Sequence, residues 1–281
     1  MTKTATKTAR RKLPDQDDLK TFTDRVAIQN ATALLNGRAV PFTEDFKWPG
    51  SRNEILFNHD TYNTWLMALM PELESMDPIH YSEASKKGIK VGRYVLYNRL
   101  LPITGMASFF LFGTPRPTIL SLDIYQRMSK ASIRFTAPVG IPVLADASMD
   151  PWMSLTPNEI LTQRGQVRRA RGDVGMAGLG LGWAARRVLE RKQVKSLTVY
   201  EQDPDVAEYF GGRLRKQFGD RLKVVVADAY KVNWMVHDVA LWDIWKNYGG
   251  ADGDRRFEEI RDALRNAGKV CVGWGDKIYG D

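Results

Sequence analysis

Gly178-Leu179-Gly180-Leu181-Gly182 limits the fold of this chain more than any other stretch. Glycines at alternate positions take up positive φ angles without strain and leave the backbone bare for the close approach of a ligand. Residues 173–177 before them have the character of a buried strand. Residues 183–192 after them have that of a helix, with its N-terminus at the turn. Strand, glycine turn and helix in that order open a nucleotide-binding βαβ unit. The alternation then continues. Residues 197–200 form a second strand; Asp203 caps and Pro204 starts a helix whose Val206, Phe210, Leu214 and Phe218 lie in one stripe. Residues 223–227 and 239–242 are the third and fourth strands. Residues 255–267 form a helix stopped by Gly268, and 270–274 a fifth strand. Short connections between alternating strands and helices require a parallel sheet. The expected fold class is α/β: a Rossmann-like parallel sheet of order 3-2-1-4-5 without a terminal hairpin, preceded by a smaller α+β region.

The division expected along the chain is a basic disordered tail over 1–15, an α+β region over 16–150, and the nucleotide-binding domain over 151–281. The α+β region is expected to bind the acceptor or to oligomerise. In it, residues 62–70 predict a helix ended by Pro71. Strands are predicted over 89–96, 109–112, 118–122, 132–136 and 142–144, between glycine- and proline-rich turns. Residues 150–156, just before the second region, are placed to form part of a lid.

Three acids follow the strands of the second region. Glu201 closes the second strand, 19 residues after Gly182, where a carboxylate can accept both ribose hydroxyl protons. Asp228 closes the third and Asp243 the fourth. Carboxyl ends of strands are where an open α/β sheet binds its ligands. One such acid is easily a helix cap; three in succession, with Gly178, Gly180 and Gly182, point to an S-adenosyl donor. An NAD(P) fold competes, because Gly180-Leu181-Gly182-Trp183-Ala184-Ala185 satisfies a permissive G-x-G-x-x-A pattern. It accounts for Glu201 but not for Asp228 or Asp243.

These residues resemble the spermidine synthase-like branch of the class I S-adenosylmethionine-dependent transferases. The resemblance runs from about Trp152 to Trp245. It rests on Glu159-Ile160-Leu161-Thr162, the glycine turn, Val199-Tyr200-Glu201-Gln202-Asp203-Pro204, Val226-Ala227-Asp228-Ala229 and Asp238-Val239-Ala240-Leu241-Trp242-Asp243. It implies that Glu201 binds ribose, that Asp228 lies by the adenine amino group, and that Asp243 is the catalytic acid beside the reacting amine. The implied cofactor is S-adenosylmethionine or its decarboxylated form. Leu181 stands where the family usually has aspartate, and Pro157-Asn158 where it has Tyr-His. Both departures point away from aminopropyl transfer to putrescine and toward methyl transfer to an unidentified acceptor. No Asn/Asp-Pro-Pro-Tyr/Phe tetrapeptide follows the fourth strand, which speaks against methylation of exocyclic base amines.

Composition narrows the remaining classes. The 281 residues carry a net charge of +8, compatible with an acidic partner such as nucleic acid, but no nucleic-acid motif collects the basic residues. The densest group, Arg164, Arg168, Arg169, Arg171, Arg186, Arg187, Arg191 and Lys192, is expected on exposed helix faces. No apolar run reaches the ~20 residues of a membrane span, and no secretion signal is legible, so a cytoplasmic protein with no membrane partner is expected. The single cysteine, Cys271, sits in an apolar run and is expected to be a packed small hydrophobe. His59, His80 and His237 are scattered, so no metal site is implied. His237 is open to two readings, a surface loop residue or a catalytic base. Trp242 and Trp245 flank Asp243, as pocket walls or as core. Two other classes stay open: a nucleotide-binding module without catalysis, and a structural or assembly protein, homo-oligomeric through its first region.

Overall fold

The structure, a computed structural model, describes residues 39–44, 54–101, 132–137, 139–246 and 250–275. The strands expected over 109–112 and 118–122, and the tail over 1–15, lie outside these residues.

The first half begins with β1 (Ala39–Val40) and β2 (Glu54–Phe57), followed by α1 (His59–Leu69) and the one-turn α2 (Ala84–Lys87). Asn58 caps α1 by accepting from the Thr61 N–H, and Pro71 opens a short 3-10 turn behind it. Next come β3 (Ile89–Val91), β4 (Tyr94–Leu101), β5 (Ser132–Phe135), β6 (Val139–Ala145) and β7 (Pro151–Ser154). One sheet pairs β1, β2 and β5 in parallel; the other is antiparallel, of order β3-β4-β6-β7. The single strand expected over 89–96 is thus a hairpin. Val91 pairs with Tyr94 across a Gly92-Arg93 turn. Gly92 sits at φ +56°, where a residue with a Cβ is strained, and a Cβ there would also have to push aside the Asp205 carboxylate, so glycine is favoured. The apolar positions change phase here, from Ile89 and Val91 to Tyr94 and Leu96, and that shift marks the reversal at Gly92-Arg93.

The second half holds α3 (Pro157–Arg169), β8 (Gly172–Ala177), α4 (Trp183–Leu189), β9 (Val194–Glu201), α5 (Pro204–Phe218), β10 (Leu222–Val226), β11 (Val239–Trp242), α6 (Arg255–Asn266) and β12 (Val270–Gly273). Five strands pair in parallel in the order β10-β9-β8-β11-β12, which is the expected 3-2-1-4-5. The chain has the Rossmann-like α/β fold. Because side chains alternate along a strand, each strand feeds two cores. Val239 and Leu241 of β11 join the core shared with α4, α5 and the first half, whereas Ala240 and Trp242 join a second core with Phe257 and Leu264 of α6. Cys271 is buried in that second core.

Asp203 caps α5 through the N–H groups of Asp205 and Val206 and lies 3.2 Å from the Arg93 guanidinium. Asp203→Ala should cost about 1–2 kcal/mol, nearly all of it from the cap, since Arg93 is exposed. Urea denaturation measures this; an unchanged midpoint would show the cap to be dispensable.

The basic group divides: Arg168, Arg171 and Lys192 are exposed, whereas Arg164, Arg169, Arg186, Arg187 and Arg191 are half-buried. Arg164 donates to the Glu44 carbonyl, Arg187 pairs with Glu44 and Glu190, and Arg191 donates to the carbonyls of Ala170 and Arg168. These arginines tie α3 and α4 to neighbouring segments. Among the described residues, no helix is long and apolar enough to cross a membrane.

Candidate active site

The first residues beyond β8, β9, β10 and β11 converge at the carboxyl edge of the parallel sheet. Backbone pairing carries each strand one step past its end: the Gly178 N–H donates to the Tyr200 carbonyl, Ala227 to Glu201, and Asp243 to Ala177. The glycine turn is fixed by that edge. Gly178, Gly180 and Gly182 all have positive φ. A Cβ on Gly178 would lie 2.3 Å from the Asp243 carbonyl oxygen, so the turn and the end of β11 meet backbone to backbone. Leu181 is buried in the core.

Glu201 holds the turn from the other side. One carboxylate oxygen accepts from the Leu179 N–H at 2.8 Å, the other from the Asp203 N–H at 2.9 Å. Burial raises its pKa, against the lowering effect of these two hydrogen bonds. Each oxygen keeps a further lone pair for a ligand hydroxyl. Asp228 accepts from the Tyr230 N–H and starts a short 3-10 turn.

Asp243 accepts a 2.6 Å hydrogen bond from the Gln163 side-chain amide. Burial pushes its carboxyl up to about 7. One turn before Gln163 on α3 stands Glu159, whose carboxyl accepts a short hydrogen bond from the Ser154 hydroxyl of β7. Burial, with the charge of Asp243, raises Glu159 to about 8, against the lowering effect of Ser154. Two enclosed carboxyls therefore share one corner.

All these groups line a cavity of about 430 Å³ over the sheet edge. Met153, Ser154 and Leu155 close it from above, so residues 150–156, expected as part of a lid, form strand β7 and the loop into α3. Its far end is aromatic and charged. The Tyr230 hydroxyl and the Trp245 indole N–H both donate to Asp254, the cap of α6, and Arg256 lies 3.7 Å over the Tyr230 ring.

Gly178, Gly180, Glu201, Asp228 and Asp243 thus face one cavity, while Gly182 caps α4 behind it. The two tryptophans divide: Trp245 walls the cavity, whereas Trp242 is fully buried in the second core. His237 follows neither of its two readings. It is buried, shares a 2.9 Å hydrogen bond with the Tyr200 hydroxyl, and fills the space left by Gly175. Sequence reasoning passed over Glu159 as a site residue, along with Gln163 and Ser154. The i, i+4 spacing of Glu159 and Gln163 put them on one helix face, but only the packing of α3 on the sheet aims that face at Asp243.

The sequence matches no family profile and no curated protein. Among solved structures it is similar to a dimethyladenosine transferase from Plasmodium falciparum, at 20% identity and TM-score 0.29 over 35% of each chain. It is similar to the 23S rRNA methyltransferase ErmE at 22% identity and TM-score 0.30, over 40% of this chain and 44% of that one. For a provisionally assigned RNA methyltransferase from Pyrococcus horikoshii the values are 17% and 0.31, over 43% and 58%. The match therefore spans 35% to 58% of the length of these proteins. A likeness of this extent identifies no substrate.

Proposed function

We propose that this chain is an S-adenosylmethionine-dependent methyltransferase whose donor lies across the glycine turn with its ribose on Glu201. The observation that carries this reading is the Glu201 carboxylate. It is enclosed at the end of the second strand, bonded to the turn's own Leu179 N–H, and faces the same cavity as Asp228 and Asp243. The residues suit such a donor. Gly178 and Gly180 present bare backbone along the cavity, Glu201 offers ribose acceptors, and Asp228 can accept from an adenine amino group. When bound, S-adenosylmethionine supplies a methyl group on a positively charged sulfur that leaves as a neutral thioether. The protein's own task is then to align the acceptor, exclude water, and receive a proton. Asp243 is our candidate for the last of these, and β7 roofs part of the cavity. The aromatic end, Tyr230 with Trp245, offers flat surfaces to a ring.

The acceptor remains a matter of proposal: a small molecule or a macromolecule carrying a nitrogen or oxygen nucleophile. The inward ties of Arg164, Arg187 and Arg191 weaken the case for nucleic acid. A homo-oligomer and a cytoplasmic location remain expectations.

Thermal shift tests the donor. At a hundredfold excess over Kd, S-adenosylmethionine or its demethylated thioether product should stabilise the fold by about 2.7 kcal/mol. For a chain of this size that is a Tm rise of roughly 5–10 °C. The decarboxylated donor and NAD are run beside it. No shift with any S-adenosyl compound would sink the proposal, and a shift with NAD alone would move the chain to the oxidoreductases.

A further inference from the structure

We propose that Glu159 is a positioning residue for the transfer step, keeping a proton in the cavity wall so that Asp243 is the one carboxylate that meets the acceptor. This inference rests on the methyltransferase reading and deepens it at the acceptor end of the site.

The geometry comes first. Glu159 and Gln163 stand one turn apart on α3, and Gln163 donates to Asp243, so the two carboxyls line the same corner of one cavity. Their side-chain hydrogen bonds come from neutral groups, the Ser154 hydroxyl and the Gln163 amide. The other charged and titratable groups around them are committed elsewhere. From α1, the Tyr62 hydroxyl donates to the Leu155 carbonyl. At the end of β9, Tyr200 is bonded to His237, and Glu201 to the turn. Beyond β10, Asp228 and Tyr230 hold a backbone N–H and Asp254 respectively. Lys246 lies 3.9 Å from Asp150, and Arg256 sits on the Tyr230 ring. Among the described residues, no cation pairs with Glu159 or Asp243.

Two carboxylates in a half-buried corner without a cation resist ionising together, so near neutrality the pair retains a proton. Burial acts on both. It raises Asp243 to about 7 and Glu159 to about 8. The Gln163 amide can only donate to Asp243 and so favours its carboxylate, whereas the Ser154 hydroxyl can turn to accept from a protonated Glu159, which places the retained proton on Glu159. Near neutrality Glu159 is the protonated member and Asp243 the one that exchanges its proton. A proton acceptor is most effective when its pKa lies near the working pH, and an ordinary aspartate falls well below that. In the transfer, the acceptor atom bonds to carbon with its own electron pair, the sulfur–carbon pair stays on sulfur, and the acceptor's proton goes to an Oδ of Asp243. The donor thus loses one positive charge and the corner one negative charge. Asp243 then returns the proton to water. Were Glu159 charged as well, the corner would hold two anions, and the acceptor would be held by its charge rather than aligned for attack.

The test needs no acceptor. Infrared titration of the ligand-free protein, with Glu159→Gln and Asp243→Asn assigning the carboxyl bands, should show two groups ionising in the neutral to alkaline range. In Asp243→Asn, Glu159 should titrate at lower pH than in the parent protein, because its anionic neighbour is gone. In Glu159→Gln, Asp243 should keep its midpoint while the alkaline step disappears. If Asp243→Asn fails to fold, Glu159→Gln still shows whether the Glu159 carboxyl is protonated near neutrality. Stability provides a parallel reading. Both pKa values are raised above the usual 4.5 and 3.8, so the folded protein binds the extra protons, and stability falls as pH rises from about 4 and levels off above about 7 and 8. Each variant should flatten that fall. Finding Glu159 ionised throughout the neutral range, or titrating in Asp243→Asn where it does in the parent, would overturn the inference. S-adenosylmethionine binding is measured in parallel. If the donor binds and the carboxyls titrate independently, only this inference fails. If the donor does not bind, the methyltransferase reading falls and the role given to Glu159 falls with it.

Discussion

Replacing Glu201 with alanine should abolish measurable donor binding and destabilise the fold at once. The carboxylate accepts from the N–H of Leu179 and of Asp203, so its removal strips the glycine turn of its anchor and leaves two backbone donors without a partner. An unsatisfied donor at a partly buried site costs roughly 1–3 kcal/mol, so a stability loss of about 2–4 kcal/mol is expected. The ribose loses two charge-assisted hydrogen bonds, each worth about 1.5–3 kcal/mol, which corresponds to a fall in affinity on the order of 10² to 10⁴. Calorimetric titration with S-adenosylmethionine and urea denaturation measure the two effects separately. Glu201→Gln discriminates between them. It keeps the size and one acceptor oxygen but turns an amide toward the second N–H, so it should retain more stability than affinity. Equal binding by the parent and both variants would remove Glu201 from the site.

The second large effect is expected at Trp242, which has no accessible surface. Its ring packs 4.6 Å from Trp234 and 5.4 Å from Tyr230 and Phe257, centroid to centroid, so it joins β11 to α6 and to the loop after β10. Trp242→Ala would leave a cavity that these large rings cannot close. Losses of about 3–5 kcal/mol are usual for such truncations, and for a chain of this size that lowers Tm by roughly 6–20 °C. The change also loosens the residue directly before Asp243, so donor and acceptor chemistry should suffer beyond the loss of folded protein. Trp242→Phe should be milder. It keeps an aromatic ring and deletes an indole N–H that is buried without a hydrogen-bond acceptor. A Tm for Trp242→Ala within a degree or two of the parent would show that the second core does not depend on this residue.

Much of the parallel sheet was legible because its signals are local. Strands of four to eight residues, a glycine turn, the Asp203-Pro204 start of α5 and the Gly268 stop of α6 each state their element within a few residues, and the strand order agrees with that expected. The acids at the strand ends were legible for the same reason, since position along a strand fixes which edge a residue reaches. Glu159 was not legible as a site residue. Its neighbour in space, Asp243, is 84 residues away in sequence, and the register between α3 and β11 is set by packing rather than by any local pattern. His237 failed differently. A histidine after a 3-10 turn and before a strand looks exposed, yet Gly175 on β8 leaves a space that its ring fills. The Gly92 hairpin is written in the pattern as a change of phase, from Ile89 and Val91 to Tyr94 and Leu96 across Gly92-Arg93.

Strand β7 gives the site its division of labour. It belongs by hydrogen bonding to the antiparallel sheet, paired with β6 through Val143–Ser154 and Leu144–Met153, yet Met153 and Ser154 both face the cavity built on the parallel sheet. The roof and the floor of the site are therefore cut from different layers, which also touch where Met153 packs against Gly180 and where Arg93 meets Asp203. Substitutions along the β6–β7 ribbon away from Met153 can reshape what enters from above while Glu201 keeps its bonds to Leu179 and Asp203 below. On the methyltransferase reading, the choice of acceptor and the hold on the donor are therefore set in different layers of the fold.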